Sequence, residues 1–223
     1  MNSENRPVVV GITGASGSIL GFRLIQELLY LNQTVELVMT EKSHPVIFEE
    51  TGLKLAGPDK AFQVFQYLQK LSSQKSSPNS QTPEMDSESL KKRLRVFENS
   101  RLDAPPASGT HLTRGMAIIP CSMGTLGRIA NGITDTFAAR AADVSLKERR
   151  PLIVVPRESP LNLIHLNNLK TLEQCGAVIL PPMLSFYLPD FNSLEGQINY
   201  TVGKVLDQLG FSHTLYTRWG DHH

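Results

Sequence analysis

The sequence predicts a three-layer α/β domain in which helices cover both faces of a doubly wound parallel sheet. Short apolar runs rich in Val, Ile and Leu alternate along the chain with longer segments of helical periodicity. The runs are continuously apolar, which is typical of parallel strands that are buried on both faces. A chain of 223 residues with 40% hydrophobic residues can bury such a core. We therefore expect one domain over residues 1–223.

The first half of the chain contains two predicted strands and three predicted helices. The β-branched run Val8–Ile12 is the first strand, and apolar residues at helical spacing after it predict the first helix. A second strand follows at Thr34–Met39. A helix within Glu41–Thr51 must start late, because Pro45 lies inside this segment. The apolar spacing of Ala61–Leu71 predicts the third helix.

Two polar segments separate these elements from the second half. Ser72–Ser89 is rich in Ser, Gln, Pro and Asn, and we expect it to be a mobile surface insertion, since strands resume after it. Asp103–Thr110 contains two prolines and a glycine and predicts a loop.

The second half repeats the alternation of strands and helices. Strands are predicted at Met116–Pro120, Leu152–Val155 and Ala177–Leu180, and helices at Ser122–Asn131, Thr136–Lys147, Asn162–Gln174 and Ser193–Leu209. Ligands of doubly wound sheets bind at the carboxyl ends of the strands. The candidate site segments therefore follow the strands that end near Ile12, Pro120 and Pro156.

Composition excludes several classes of partner. The net charge is +1, with 22 Lys and Arg against 21 Asp and Glu, so neither nucleic acid nor an anionic membrane is an expected partner. The two cysteines are typical of a reduced, cytoplasmic protein. No signal peptide and no apolar stretch of membrane-spanning length is visible. The histidines have no metal-ligand spacing, so we expect no metal site.

The turn after the first strand, Gly11–Gly17, is rich in glycine but lacks the dinucleotide fingerprint. Its backbone N–H groups and the hydroxyl of Ser16 can bind an anion, or Ser16 can simply cap the helix. Short-chain dehydrogenases have a similar turn, and Tyr200 and Lys204 match their Tyr-x-x-x-Lys spacing. That interpretation is disfavoured because the pair lies near the chain end and Thr40 stands where an acidic residue is expected.

The turn after the strand at Met116 is the most specific motif. Ser122 and Thr125 flank Gly124 at a helix start, where they can donate hydrogen bonds to a phosphate or to the edge of a flavin ring. Cys121 has no His or second Cys to activate it, so we expect an inert thiol.

Two groups of charged residues are candidates for anion binding. Arg140 and Lys147 are seven residues apart on one helix face and can hold a phosphate together, or can form a solvated charged face. Arg157 and Glu158 end a buried strand, and this pair is either an anion clamp with an acid–base group or a structural ion pair. Trp219 either plugs a core edge or covers a ligand.

With these motifs in place, the chain resembles the UbiX-type flavin prenyltransferase family. The matching blocks are TGASG, APPASG, PCSMGT, ARAADVSLKERRPL, VPRESP, IHL, GAVILPPM and RWG, in this order. They cover roughly three quarters of the chain, from Val8 to Glu50 and from Ala104 to Trp219.

The resemblance implies a flavodoxin-like sheet in a homo-oligomer, commonly a dodecamer, with FMN at the subunit interfaces. It implies that dimethylallyl phosphate alkylates N5 and C6 of reduced FMN without a metal. The product, prenylated FMN, would serve a UbiD-type decarboxylase.

The resemblance also assigns roles to residues. FMN would be held by Gly14, Ala15, Ser16, Thr40, Ser122, Met123, Gly124, Thr125 and Arg157. The prenyl phosphate would be bound by Tyr187 and Lys204, with Ser16, Arg140 and Lys147 nearby and Trp219 lining the prenyl site. Glu50 and Glu158, with Ser16, are the candidate catalytic residues.

Position 204 is Lys where the family usually has Arg, so we expect a point contact with phosphate and weaker affinity. Two alternatives belong to the same broad fold. One is an FMN-dependent cysteine decarboxylase, whose PASANT-type segment resembles PCSMGT except that Gly124 replaces its asparagine. The other is a flavin-binding subunit without catalytic activity.

Overall fold

The computed structural model describes residues 6–73, 92–186 and 189–220, which form a six-stranded parallel sheet with helices on both faces. The strands are β1 (Val8–Ile12), β2 (Val35–Met39), β3 (Leu94–Glu98), β4 (Gly115–Cys121), β5 (Leu152–Pro156) and β6 (Val178–Ile179). The helices are α1 (Ser18–Tyr30), α2 (Ser43–Thr51), α3 (Lys60–Ser73), α4 (Met123–Ala130), α5 (Phe137–Lys147), α6 (Leu163–Gln174) and α7 (Leu194–Gln208). Short 3₁₀ turns occur at Pro105–Ala107 and Pro189–Asn192.

The strand order is β3-β2-β1-β4-β5-β6, so the chain moves outward from β1 in one direction and then restarts beside it with β4. Without the edge strand β3, this is the order of a flavodoxin-like sheet. The predicted fold class is confirmed.

Alternating residues of the strands pack against opposite helix layers. Val8, Val10 and Ile12 of β1 face the layer of α1, α3 and α7, whereas Val9 faces the layer of α4, α5 and α6. Because both faces of the strands are covered, β1, β2, β4 and β5 are buried along their whole length.

The structure adds β3 to the strands that the sequence predicted. This strand contains Arg95 and is only partly buried, because it lies at the sheet edge beside β2. A half-buried edge strand lacks the continuous apolar run that identified the other strands.

Helix boundaries follow local chemistry. α2 begins at Ser43, and Pro45 lies in its first turn. Backbone N–H groups in the first turn of a helix have no acceptor within the helix, so a proline, which lacks this group, is tolerated there. Ser122, Thr136, Asn162 and Ser193 are the N-caps of α4 to α7, each through its side chain. α3 extends through Ser73, and the remainder of the predicted insertion, 74–89, lies outside the described residues.

Within the described ranges, no helix is long and apolar enough to cross a bilayer. The same ranges contain no group of three or more His, Cys, Asp or Glu arranged to hold a metal ion.

Candidate flavin site

A cavity of about 180 Å³ lies at the carboxyl ends of the central strands, beside the point where the strand order reverses. The turns after β1, β2, β3 and β4 line it together with the start of α5. The lining residues are Gly14, Thr40, Glu41, Lys42, Asn99, Ser122, Gly124, Thr125, Arg128 and Thr136. Five of the predicted FMN-binding residues, Gly14, Thr40, Ser122, Gly124 and Thr125, are therefore brought together.

Thr13 joins the two central turns of this cavity. Its buried hydroxyl accepts a hydrogen bond from the backbone N–H of Ser122 at 2.7 Å and donates one to the carbonyl of Pro120 at 2.9 Å. The sequence analysis did not single out Thr13. Its position between a buried strand and a glycine turn could have indicated a site residue.

The turn at the start of α4 presents an open surface to the cavity. Ser122 caps the helix by accepting from the N–H of Thr125 at 3.4 Å, and its hydroxyl also donates to the Thr125 hydroxyl at 3.2 Å. A Cβ added to Gly124 would meet no atom within 4 Å. The side chain of Met123 packs against the core under α4, so it does not line the cavity.

Thr40 contributes a polar atom that is buried without a partner. Its Oγ1 has no hydrogen-bond partner, although its backbone N–H donates to the carbonyl of Ile12 at 3.0 Å. A buried hydroxyl of this kind costs free energy unless a ligand pairs with it. The unpaired hydroxyl and the open side of Gly124 fit a planar cofactor with polar substituents, and FMN is such a group.

Gly14 is in close contact with the turn after β2. A Cβ at position 14 would lie 2.9 Å from both the Cβ and the carbonyl oxygen of Lys42. Only glycine allows the backbones of these two turns to approach this closely.

Glu50 lies on α2, and its carboxylate binds the N-terminus of α1. It accepts hydrogen bonds from the backbone N–H groups of Gly17 and Ser18, both at 2.8 Å, and from the Ser18 hydroxyl at 2.6 Å. Burial alone would raise the pKa of Glu50. Hydrogen bonds from Ser16, Ser18 and these N–H groups outweigh burial and lower the pKa below its ordinary value. Two of the predicted catalytic residues, Ser16 and Glu50, are therefore in direct contact.

Asn99 and Arg128 line the cavity although the sequence analysis did not select them. Asn99 is buried directly after β3; its side chain accepts from the N–H of Ala138 at 3.1 Å and donates to Glu41 at 3.1 Å. Arg128 pairs with Asp135 at 3.2 Å. Asn99 could not be recognised as a strand-end residue because β3 itself was not predicted.

Arg157 and Glu158 follow β5 at the carboxyl ends of the strands, where the cavity also lies, and both side chains are exposed. The Arg157 N–H donates to the carbonyl of Cys121 at 3.1 Å, so this turn is joined to the one that begins α4. Glu158 accepts from the N–H of Ser159 at 3.0 Å. No ion pair between Arg157 and Glu158 occurs in the described structure, which disfavours the structural ion pair as their role.

Arg140 and Lys147 are not brought together within one protomer. Arg140, near the start of α5, donates to the carbonyl of Ala107 at 3.2 Å and pairs with Asp143 at 3.2 Å. Lys147, at the other end of α5, pairs with Glu148 at 3.5 Å. Seven residues of helix separate their Cα atoms by about 10 Å. Lys147 therefore lies toward the amino ends of the strands, away from the cavity of its own protomer.

Three predicted phosphate- and prenyl-binding residues remain. Tyr187 is outside the described residues. Lys204 is half-buried on α7, and the side chain of Trp219 is 80% exposed. Asp207 anchors the segment before Trp219, since it accepts from Tyr216 at 2.6 Å and from Arg218 at 2.7 Å.

The thiol of Cys121 is fully buried, and burial raises its pKa to about 12. Such a thiol is protonated at neutral pH and is a poor nucleophile. The burial of Cys121 supports the prediction of an inert thiol.

The whole chain resembles known proteins. The model of the Flavoprotein family matches residues 1–207. A protein of Alkalihalophilus pseudofirmus named flavin prenyltransferase UbiX is 42% identical over 96% of each chain. The Pseudomonas aeruginosa protein of the same name is 36% identical over 97% of this chain and 95% of its own.

Solved structures of UbiX proteins are also similar to this chain. AnUbiX (PadA1), in complex with FMN and dimethylallyl pyrophosphate, has a TM-score of 0.77 and 33% identity, over 98% of this chain and 100% of its own. A dodecameric FMN-dependent UbiX-like decarboxylase from Escherichia coli O157:H7 has a TM-score of 0.75 and 34% identity, over 96% of this chain and 98% of its own. The cysteine decarboxylase TvaF shares the fold alone, at 12% identity and a TM-score of 0.57.

Proposed function

The chain belongs to the UbiX flavin prenyltransferases within the Flavoprotein family, and from this membership we propose how its residues carry out prenyl transfer to FMN. It is an enzyme that joins the dimethylallyl group of a dimethylallyl phosphate to reduced FMN. The allylic carbon would bond to N5 of reduced FMN as phosphate leaves, and protonation of the prenyl double bond would let its other end bond to C6, which then loses its proton. The observation on which the residue roles rest is the cavity that Gly14, Thr40 and Gly124 line at the carboxyl ends of the strands.

We assign flavin binding to the turns around this cavity. The Thr40 hydroxyl and the hydroxyls of Ser122 and Thr125 pair with polar atoms of the flavin, and Gly124 leaves room for the ring. Gly14 lines the cavity from the turn after β1, and we assign Ala15 and Ser16 of the same turn, with Arg157 of the turn after β5, to the flavin as well. Preorganised donors of this kind hold a ligand without the cost of reorganising the protein.

Glu50, Ser16 and Glu158 are assigned the proton transfers. Because its pKa is lowered, Glu50 is an ionised carboxylate at neutral pH, and it orients the hydroxyl of Ser16 toward its own oxygens. Glu158 is exposed at the adjacent strand end, where it can exchange a proton with the departing phosphate.

The phosphate subsite is completed by residues from more than one protomer. Tyr187 and Lys204 are assigned to the phosphate, and Lys204 provides a single ammonium contact. Lys147 lies toward the amino ends of the strands, away from the cavity of its own protomer, so we assign it to the phosphate of a neighbouring protomer's site. Trp219, which is 80% exposed, would line the prenyl group once another protomer covers it.

A homo-oligomer, with a dodecamer as the proposed form, is supported by exposed apolar side chains. Leu163 and Ile164 on α6 are 71% and 69% exposed, and Phe186 and Leu194 near the start of α7 are 76% and 77% exposed. Apolar surface on this scale is typical of a protein interface. The product is proposed to serve a UbiD-type decarboxylase in the cytoplasm.

The experiment that tests the reaction is mass spectrometry of the flavin after turnover. The protein is incubated with FMN, a reductant and dimethylallyl phosphate, and a parallel sample receives dimethylallyl pyrophosphate. We expect released flavin to gain the mass of one prenyl unit in at least one sample. Unmodified FMN in both samples would favour a flavin-binding subunit, and decarboxylation of a peptidyl cysteine would favour the cysteine decarboxylase alternative.

A further inference from the structure

A second, larger cavity lies at the amino-terminal ends of the strands, opposite the flavin cavity. Its volume is about 700 Å³, and its lining residues are Arg6, Leu112, Thr113, Arg114, Glu148, Arg149, Arg150 and Pro151. These residues precede β1, β4 and β5, so they lie at the amino ends of the strands. The length of β4 places this cavity about 20 Å from the flavin cavity.

The cavity concentrates positive charge in a chain whose net charge is only +1. Arg6, Arg114, Arg149 and Arg150 line it, and none of them has a carboxylate within 4.0 Å in the described ranges. The carboxylate of Glu148, the acidic residue of the lining, pairs instead with Lys147 at 3.5 Å. Among the described residues, the four arginines therefore have no carboxylate partner in an ion pair.

Two of these guanidinium groups are held rigidly by backbone carbonyls. Arg150 donates to the carbonyls of His111 at 2.7 Å and Gly109 at 2.6 Å. Arg114 donates to the carbonyl of Leu209 at 3.0 Å and lies over the ring of Phe211, 3.8 Å from its centroid. Each guanidinium has five N–H donors, so both retain donors beyond these contacts.

Arg6 has a feature that a purely structural role does not explain. The Nε atom of Arg6 is buried and has no hydrogen-bond partner. Arg149 has a left-handed backbone with φ of 54° because it follows the end of α5, where the Arg150 N–H donates to the carbonyl of Ser145 at 2.8 Å. A buried guanidinium N–H without an acceptor is destabilising unless an acceptor binds there.

We propose that this cavity is an anion site that binds the phosphate or diphosphate group of a small molecule, distinct from the flavin cavity of the same protomer and from the phosphate contacts assigned to Tyr187 and Lys204. Guanidinium groups match the oxygens of phosphate through paired, charge-assisted hydrogen bonds. An arginine-lined cavity with two preorganised guanidinium groups and an unsatisfied third fits a ligand with two or more negative charges. The near-neutral chain as a whole disfavours nucleic acid as the ligand.

The test is calorimetric titration of the FMN-loaded protein with orthophosphate and with pyrophosphate, at constant ionic strength set by chloride. The variant is Arg6→Gln with Arg149→Asn, because Asn tolerates the left-handed backbone. We expect its affinity for the better of the two anions to fall about tenfold or more. Arg101→Gln is the matched control, since Arg101 is an exposed arginine paired with Asp103 far from the lining residues.

A parallel titration of Lys204→Gln separates this site from the proposed prenyl-phosphate site. We expect anion binding at the arginine cavity to persist in Lys204→Gln and in Arg101→Gln. Wild-type anion affinity in the double variant would overturn the proposal, as would binding that is lost in Lys204→Gln alone. A change in the oligomeric mass of the double variant would also overturn it, because the cavity would then be an interface between copies.

Discussion

The carboxylate of Glu50 accepts hydrogen bonds from both the backbone N–H and the hydroxyl of Ser18, at 2.8 and 2.6 Å. Ser18 is the first residue of α1 and Glu50 belongs to α2, so one side chain of the second helix caps the first. The carboxylate of Glu50 therefore lies at the N-terminus of α1. Its negative charge is stabilised there, because this end of the helix dipole is positive.

Glu50→Gln should make folding stability less sensitive to acid. The pKa of Glu50 is lowered in the folded protein, so its stabilising contribution is present above the unfolded pKa and is lost as the pH falls through the folded pKa. We expect wild-type stability to fall more steeply than that of the variant below about pH 4.5. Near neutral pH the variant should lose about 1 kcal/mol, since the carboxylate is partly solvated.

The measurement is urea unfolding of the flavin-free protein at a series of pH values. Glu49→Gln is the matched control, because the neighbouring Glu49 is exposed and its carboxylate has no hydrogen-bond partner among the described residues. Parallel pH profiles for wild type and Glu50→Gln would contradict the role of Glu50 as the cap of α1.

Thr40→Val should have opposite effects on stability and on flavin binding. The variant removes a buried hydroxyl that has no partner, so the free energy of unfolding of the flavin-free protein should stay equal or rise by up to about 1 kcal/mol. The affinity for FMN, measured by flavin fluorescence, should fall about tenfold because a hydrogen bond to the ligand is lost.

Thr171→Val controls for the loss of a threonine hydroxyl on the exposed surface of α6, where the hydroxyl donates only to the carbonyl of Asn167. It should leave FMN affinity unchanged. A stable Thr40→Val protein with wild-type FMN affinity would show that this hydroxyl does not face the flavin.

Two glycine substitutions should separate folding from binding. Gly14→Ala places a methyl 2.9 Å from Lys42 atoms and should destabilise the protein by about 1–3 kcal/mol. Gly124→Ala meets no atom within 4 Å and lies in the first turn of α4, so stability should be equal or higher. FMN affinity should nevertheless fall in Gly124→Ala, and an unchanged Kd would place the flavin elsewhere.

Glu158→Gln should bind FMN with an affinity within a factor of about two of wild type, because the proposed flavin contacts remain. Prenyl transfer should slow by about a hundredfold or more if Glu158 transfers a proton in the reaction. Single-turnover flavin mass spectrometry measures the rate, with Glu173→Gln on the exposed face of α6 as control. Wild-type turnover in Glu158→Gln would remove this residue from the mechanism.

Mixing two inactive variants should restore activity if the site is shared between protomers. Lys147→Gln and Glu158→Gln are each expected to lose turnover. Co-assembly after mild dissociation should return about a quarter of wild-type activity, since random pairing rebuilds that share of sites with both residues intact. Mixed assemblies that stay inactive would place Lys147 and Glu158 in the site of the same protomer.

The fold and half of the candidate site were predictable because their signals are local. A buried strand, a small-residue turn and a helix cap are contiguous in PCSMGT, so Ser122, Gly124 and Thr125 could be assigned from the sequence. Asn99 could not, since its strand is a half-buried edge with a charged residue. The contacts of Glu50 with Ser16 and Ser18 depend on how α2 packs against α1, which no local pattern encodes.

Arg140 and Lys147 illustrate the limit of periodicity arguments. Spacing by seven residues correctly placed them on one face of α5, but the same spacing separates them by two helical turns and gives no information on the carboxylates that pair with them. Each cation pairs with an acidic neighbour at its own end of the helix, and the proposed phosphate contact of Lys147 therefore requires a neighbouring protomer.

The bond from the Ser122 amide to the Thr13 hydroxyl has a consequence for synthesis of the protein. It spans 109 positions of sequence, so the flavin pocket cannot close while the ribosome has released only the amino-terminal half of the chain. Flavin capture at the proposed pocket therefore requires Ser122 to have emerged, and nascent chains that end before Ser122 should not bind flavin.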